Sequence, residues 1–184
     1  MATGTYDLIA SGTADGSSSV LTVTSIPTTH WDLSIFFRGF DLDSSDPDNG
    51  GFIRLNGDTG GSYASQSRLM RSSSSSPAQR DTGTGFKWWS IPANSGGSSN
   101  FRNELQIDIP NYNRTHMTGT NEIAMIGHMR TLRTPSSPSN GSALGWMIYQ
   151  WDSPSSAITE ISFHTSGQNW KSGTSCHVYG ISNS

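Results

Sequence analysis

Phe101-Arg-Asn-Glu-Leu-Gln-Ile-Asp-Ile109 is the stretch that decides the fold. Phe101, Asn103, Leu105, Ile107 and Ile109 alternate with Arg102, Glu104, Gln106 and Asp108. A period of two puts one set against a core and the other against water, as in a β-strand with one dry face. Outward from it the same period returns. Trp31, Leu33, Ile35 and Phe37 form one run, and Ile161 with Phe163 opposes Glu160, Ser162 and His164 in another. Weaker strand signals occupy 6–10, 20–26, 52–55, 63–71, 86–91, 122–132 and 177–181. Turn clusters separate them: DSSDPDNGG, NGDTGGS, SSSSSPAQRDTGTG, NSGGSSN and TPSSPSNGS. About eight to eleven short strands with turns between them predict an all-β chain, an antiparallel β-sandwich of jelly-roll type.

Composition agrees. Gly, Ser and Thr make up 71 of the 184 residues, charged residues only 14%, and Lys87 and Lys171 are the only lysines. A helical bundle would be rich in Ala, Glu, Lys and Leu instead. The length suits one domain, and no boundary or repeat divides 1–184. A net charge of −3 supplies no pull toward nucleic acid. The amino end has no signal-peptide pattern and no stretch reaches membrane-spanning length, so a chain made in a cytoplasm and free of membrane is expected. The lone Cys176 excludes an intrachain disulfide and a Cys-based zinc site.

Ala143-Leu-Gly-Trp-Met-Ile-Tyr-Gln-Trp151 breaks the alternation. Leu144, Trp146 and Ile148 lie on one face, Met147, Tyr149 and Trp151 on the other. A strand apolar on both sides is covered on both sides, by a loop of the chain or by another subunit. Met147, Tyr149 and Trp151, with the Trp88-Trp89 pair, are the expected subunit or shell interface, because Met and aromatics are enriched in interface cores.

Motifs for chemistry are sparse. Asp-Thr-Gly occurs at 58–60 and 81–83, but neither follows the apolar strand that precedes such a tripeptide in aspartic proteases, and both read as turns. Asp41, Asp43, Asp46 and Asp48 form an acidic loop that fails the EF-hand template. The five histidines include no His-x-His or His-Glu-x-x-His, so no metal or other cofactor is expected. Glu104, Glu122 and Glu160 fall on separate predicted strands. There is no Gly-x-Ser-x-Gly elbow, Walker loop or dinucleotide fingerprint, and the chain is expected not to be an enzyme. The sequons at Asn113 and Asn140 lack a secretory context.

Four segments resemble a known family in order. Gly51-Phe-Ile-Arg-Leu-Asn-Gly-Asp-Thr-Gly-Gly-Ser-Tyr63 is similar to an "I-R-F-N-G-D-T-G-x-N-Y" signature, and Ser25-Ile-Pro-Thr-Thr-His-Trp-Asp-Leu33 to "S-I-P-x-x-Y-x-D-L". Ile107-Asp-Ile-Pro-Asn-Tyr112 resembles "I-x-I-P-N-Y", and the stretch from Ala157 to Ile181 resembles a closing strand pair ending in "Y-G-I". The family is one of tailed-bacteriophage virion proteins, many from aquatic and cyanobacterial phages. His30 departs from its usual Tyr, and the Ser-rich 72–85 and Pro-Ser 134–142 inserts are longer.

What the resemblance implies is a β-sandwich structural component of a virion. A lone sandwich without shaft repeats or coiled coil fits a capsid decoration (cement) protein on the outer shell. It would bind the major capsid protein as a homo-oligomer, with a trimer expected. The alternative is a receptor- or glycan-binding module on a tail or fibre, with Trp170 as a candidate surface stacking residue.

Overall fold

The computed structural model describes residues 6–40, 51–71, 79–88, 103–113, 122–131, 143–152 and 156–182. Among these residues there are twelve strands and no helix. They are β1 (Tyr6–Thr13), β2 (Val20–Val23), β3 (Asp32–Arg38), β4 (Gly51–Leu55), β5 (Tyr63–Arg71) and β6 (Gln79–Gly83). There follow β7 (Phe86–Trp88), β8 (Glu104–Ile109), β9 (Glu122–Thr131), β10 (Ala143–Asp152), β11 (Ile161–Thr165) and β12 (Ser175–Ile181). One sheet has eight strands in the order β1-β12-β3-β8-β9-β10-β5-β6, the other four in the order β2-β11-β4-β7. The expected antiparallel sandwich is the fold.

Eight strands make a jelly roll. Taking β1, β2, β3, β4, β7, β8, β11 and β12 in turn, the first sheet runs 1-8-3-6 and the second 2-7-4-5, the interleaved order of two Greek keys. The β5–β6 pair, inserted after β4, and the β9–β10 pair, inserted after β8, extend only the first sheet. The strand β6 lies where the sequence predicts a turn cluster, so the second Asp-Thr-Gly is strand and not turn. Its polar residues, Gln79-Arg-Asp-Thr-Gly83, carry no apolar period. They are strand because β5 offers its free edge.

The core lies between the sheets. Leu33, Ile35 and Phe37 of β3, Leu105, Ile107 and Ile109 of β8, and Cys176 and Val178 of β12 are buried with Leu21, Val23, Ile53, Leu55, Ile161 and Phe163 of the smaller sheet. Phe37 stacks on Phe163 across the gap at 4.2 Å, and the Trp170 ring meets Phe37 edge-on at 5.1 Å. Such ring pairs add about 0.5–1.5 kcal/mol beyond their buried area.

The motifs that carry the family resemblance converge at one end of the sandwich, where the segment 156–160 bridges both sheets. Asn56 and Gly57 have φ of 51° and 64°, and the Asp58 N–H donates to Leu55 O at 2.9 Å, closing a turn with two left-handed residues. The Asn56 side chain donates to Ala157 O (2.8 Å) and accepts from the Thr159 and Glu160 N–H groups (2.8 and 3.1 Å). Tyr63 Oη accepts from Leu55 N–H at 3.1 Å and lies 3.2 and 3.1 Å from the Leu55 and Asp58 carbonyls. Burial pushes this phenol up to about 12. Tyr112 donates its hydroxyl proton to Pro27 O, while its own carbonyl accepts from Ile158 N–H at 3.2 Å. Close by, the His30 ring lies over Gly180, where an added Cβ would come within 2.4 Å of it. The glycine of "Y-G-I" is therefore the space that the ring of residue 30 occupies.

Tyr63→Phe leaves the buried Leu55 N–H without its acceptor and should cost about 1–3 kcal/mol. Asn56→Ala loses the side-chain hydrogen bonds to Ala157, Thr159 and Glu160 and the tolerance for positive φ, and should cost more, with Asn56→Gly recovering only the backbone part. Thermal unfolding of the three variants checks this order; equal stability of Asn56→Ala and wild type would refute it.

Candidate functional site

The central inserted strand, β10, carries the site. Its register against β9 and β5 is unbroken from Ala143 to Trp151, so its side chains alternate strictly between the sheet's two faces. Met147, Tyr149 and Trp151 point inward and are 3%, 0% and 1% exposed. Leu144, Trp146 and Ile148 point outward and are 36%, 42% and 59% exposed. The strand is two-faced as the sequence indicates, but the assignment of its faces is reversed. Met147, Tyr149 and Trp151 are core and present no interface. The Trp151 indole donates to Asp58 Oδ2 at 2.8 Å, and Phe86 packs on Tyr149 at 4.7 Å. Period two tells that two sets differ, not which one faces in. The polar partner waiting for Trp151 is more than ninety positions away.

Trp88 ends β7 opposite Gly51, and Trp89 lies outside the described residues. Trp170 is fully buried with its indole N–H donating to Phe163 O at 3.0 Å, so it is a core residue and not a surface stacking platform.

The outward residues form a patch. Met70 of β5 is opposite Leu144, and Ile126 of β9 is opposite Ile148; both are exposed. Trp146 sits between them with Arg68 on one side and His128 on the other. Opposite pairs have Cβ atoms roughly 5 Å apart, so the five apolar side chains are contiguous. A monomer rarely exposes a large continuous apolar surface without a use for it. Charge is distributed unequally around the patch. Glu104 and Asp108 of β8 lie on one flank, and Arg68 of β5 with Arg80 of β6 on the other. Glu104 also meets Arg38 at 3.5 Å, and Asp108 accepts from Ser34 Oγ at 2.6 Å and from the Gln106 amide.

Other candidates come apart. Glu104 is opposite Arg130 near one end of β9, whereas Glu122 begins that strand, eight residues and thus about 27 Å away. Asp58 accepts from Gly60 N–H and Trp151, and Asp81 pairs with Lys87 at 2.8 Å. Cys176 is buried, and desolvation pushes its thiol up. Asp41, Asp43, Asp46 and Asp48 lie outside the described residues, and so does Asn140. Among the described residues no three His, Cys, Asp or Glu side chains come together as a metal site requires.

No family model and no curated protein matches the chain, so the resemblance to virion proteins stands on the quoted motifs. Similarity to solved structures is weak. The alginate lyase vAL-1 from Chlorella virus gives a TM-score of 0.26 at 13% identity, over 88% of this chain and 84% of that one. The CBM2 module of the evolved Dit of Lactobacillus casei BL23 phage J-1 gives 0.18 at 10% identity, over 99% and 81%. Both are proteins of viruses. An enzyme among these neighbours corrects the expectation that the chain is not one, although likeness this low assigns it no reaction.

The opposite face of the molecule, on the smaller sheet, carries a separate cluster. Arg54 lies over the Phe52 ring at 4.6 Å, and Phe52 stacks on His164 at 4.6 Å with Ser162 Oγ 2.9 Å from its Nε2. Burial, with the Arg54 charge adding to it, lowers the His164 pKa from 6.5 to about 4. The folded state thus holds the ring neutral while the unfolded state protonates it below about 6.5. This contribution is complete above that pH and is lost as pH falls toward 4. Thermal unfolding of His164→Gln should show a flatter dependence on pH between these values than wild type; parallel curves would refute the assignment.

Proposed function

We propose that this chain is a structural component of a virion, and within it a decoration protein that binds the major capsid protein on the outer shell and stabilises the head. The observation that carries the reading is the apolar face of Met70, Ile126, Leu144, Trp146 and Ile148 on an open sheet. A surface of this kind is made for protein association. The family resemblance supplies the virion setting. The hairpins that bear the face are additions to the jelly roll, which needs neither for its two Greek keys. A decoration protein acts mechanically: each copy clamps a joint of the shell, and many weak contacts sum through multivalency. It acts as a homo-oligomer made in the host cytoplasm and carried on the capsid surface.

A second reading, a tail- or fibre-associated glycan- or receptor-binding module, is favoured by Trp146. An exposed indole with Arg68 and His128 opposite offers a sugar ring a stacking surface and hydrogen-bond donors.

Quantitative mass spectrometry of purified particles separates the two. Decoration predicts a copy number equal to that of the major capsid protein or a simple fraction of it. A few copies per particle would overturn it in favour of the tail, where glycan binding abolished by Trp146→Ala is the expected companion result. Absence from particles would overturn both virion positions.

A further inference from the structure

We propose that the outer face of β5, β10, β9 and β8 is closed by a second copy of this chain in a two-fold, face-to-face dimer. The inference gives the association surface described above to a second copy in the free chain, a copy that the shell would have to displace, so particle copy number and self-pairing can fail separately.

Three features of the face point to a copy of itself. The first is the arrangement of charge. Across the sheet the columns run acidic (Glu104 and Asp108 on β8), mixed (Ile126, His128 and Arg130 on β9), apolar (Leu144, Trp146 and Ile148 on β10), then basic (Arg68 on β5, Arg80 on β6). A two-fold axis parallel to the strands, between β9 and β10, lays the β8 column of one copy over the β5 column of the other. Arg68 lies in the row between Glu104 and Asp108, so it meets a carboxylate on either side. The same operation sets Ile148 over Ile126 of the second copy and Trp146 over His128. It also sets Leu144 over Arg130 and Met70 over Glu104, so the apolar contact is centred on Ile126, Trp146 and Ile148.

The second feature is regularity. Both inserted pairs are regular antiparallel ladders without a bulge over the patch, so two such faces can stack as sheets do, about 10 Å apart with strands within about 30°. The third is area. The same axis lays β3 of one copy over β6 of the other, so six strands at about 4.8 Å spacing, and about eight residues along β10, give a footprint of roughly 24 by 27 Å. With the relief of the side chains this approaches the roughly 800 Å² per partner of a standard stable interface. An isologous contact closes on itself and produces a dimer, whereas the trimer expected from the sequence needs two different surfaces that meet head to tail.

Light scattering and sedimentation of the full chain between about 1 and 100 µM should give twice the mass of 19.8 kDa, with dissociation on dilution. Ile148→Asp should weaken the dimer about 100-fold or more, because it buries a carboxylate at the centre of the contact. It should leave the monomer folded, since Ile148 is 59% exposed there. Arg68→Glu should weaken pairing about 10-fold, and Arg68→Glu with Asp108→Arg should restore it to within about threefold. The swap tests the geometry even where Ile148→Asp perturbs folding. A monomer throughout, a trimer, or a dimer indifferent to both sets of variants would each overturn the proposal.

Discussion

The sandwich depends on how the chain turns from one sheet into the other around the segment 156–160. That segment has no strand partner of its own, yet its backbone groups are answered from three directions. The Asn56 side chain takes the N–H groups of Thr159 and Glu160 and donates to Ala157 O, Ile26 N–H reaches Thr159 O, and Ile158 N–H reaches Tyr112 O. Buried backbone polar groups must be paired, and at a corner between two sheets no ladder can pair them. The Asn56 side chain and single backbone bonds to Ile26 and Tyr112 do it instead. Asn is suited to position 56 because it tolerates the left-handed conformation and offers both a donor and an acceptor.

This explains why the recurring motifs are silent about chemistry. Asn56, Gly57, Asp58 and Tyr63 build one corner, Pro27, His30 and Tyr112 another, and Gly180 makes room for the ring of residue 30. Their polar atoms are consumed by the fold. Asp58, which a protease reading would make a catalytic carboxylate, accepts the Trp151 indole and Gly60 N–H. The two inserted strand pairs lie outside these corners and carry the exposed face. The proposed association surface and the architectural motifs therefore occupy different residues.

The smaller sheet shows a different balance. Phe52, Arg54 and His164 shield one another on its outer side, with the ring stack and the cation over it replacing a covering layer. Among the described residues the larger sheet shows no such self-covering over Trp146, Ile148 and Ile126, which stay exposed. The contrast within one molecule is what supports the association surface proposed on the larger face. Apolar side chains that have no partner within the chain are worth most when another chain supplies it.

By itself the sequence determined the class of fold and most of the strands. Alternation in 104–109 and 32–38, and turn residues between such runs, are local facts, and local facts are legible in a linear text. Strand β6 was hidden because it has no apolar period and exists only through its partner. What the tertiary structure alone decided is the direction in which β10 faces. Both sets of its side chains are apolar, and each contains a tryptophan, so hydrophobicity does not rank them. The inward face is the one that meets Phe86 and Asp58. Those partners reach it through sheet pairing across most of the chain. A one-residue change of register would exchange core and surface, and register is a property of the paired strands together.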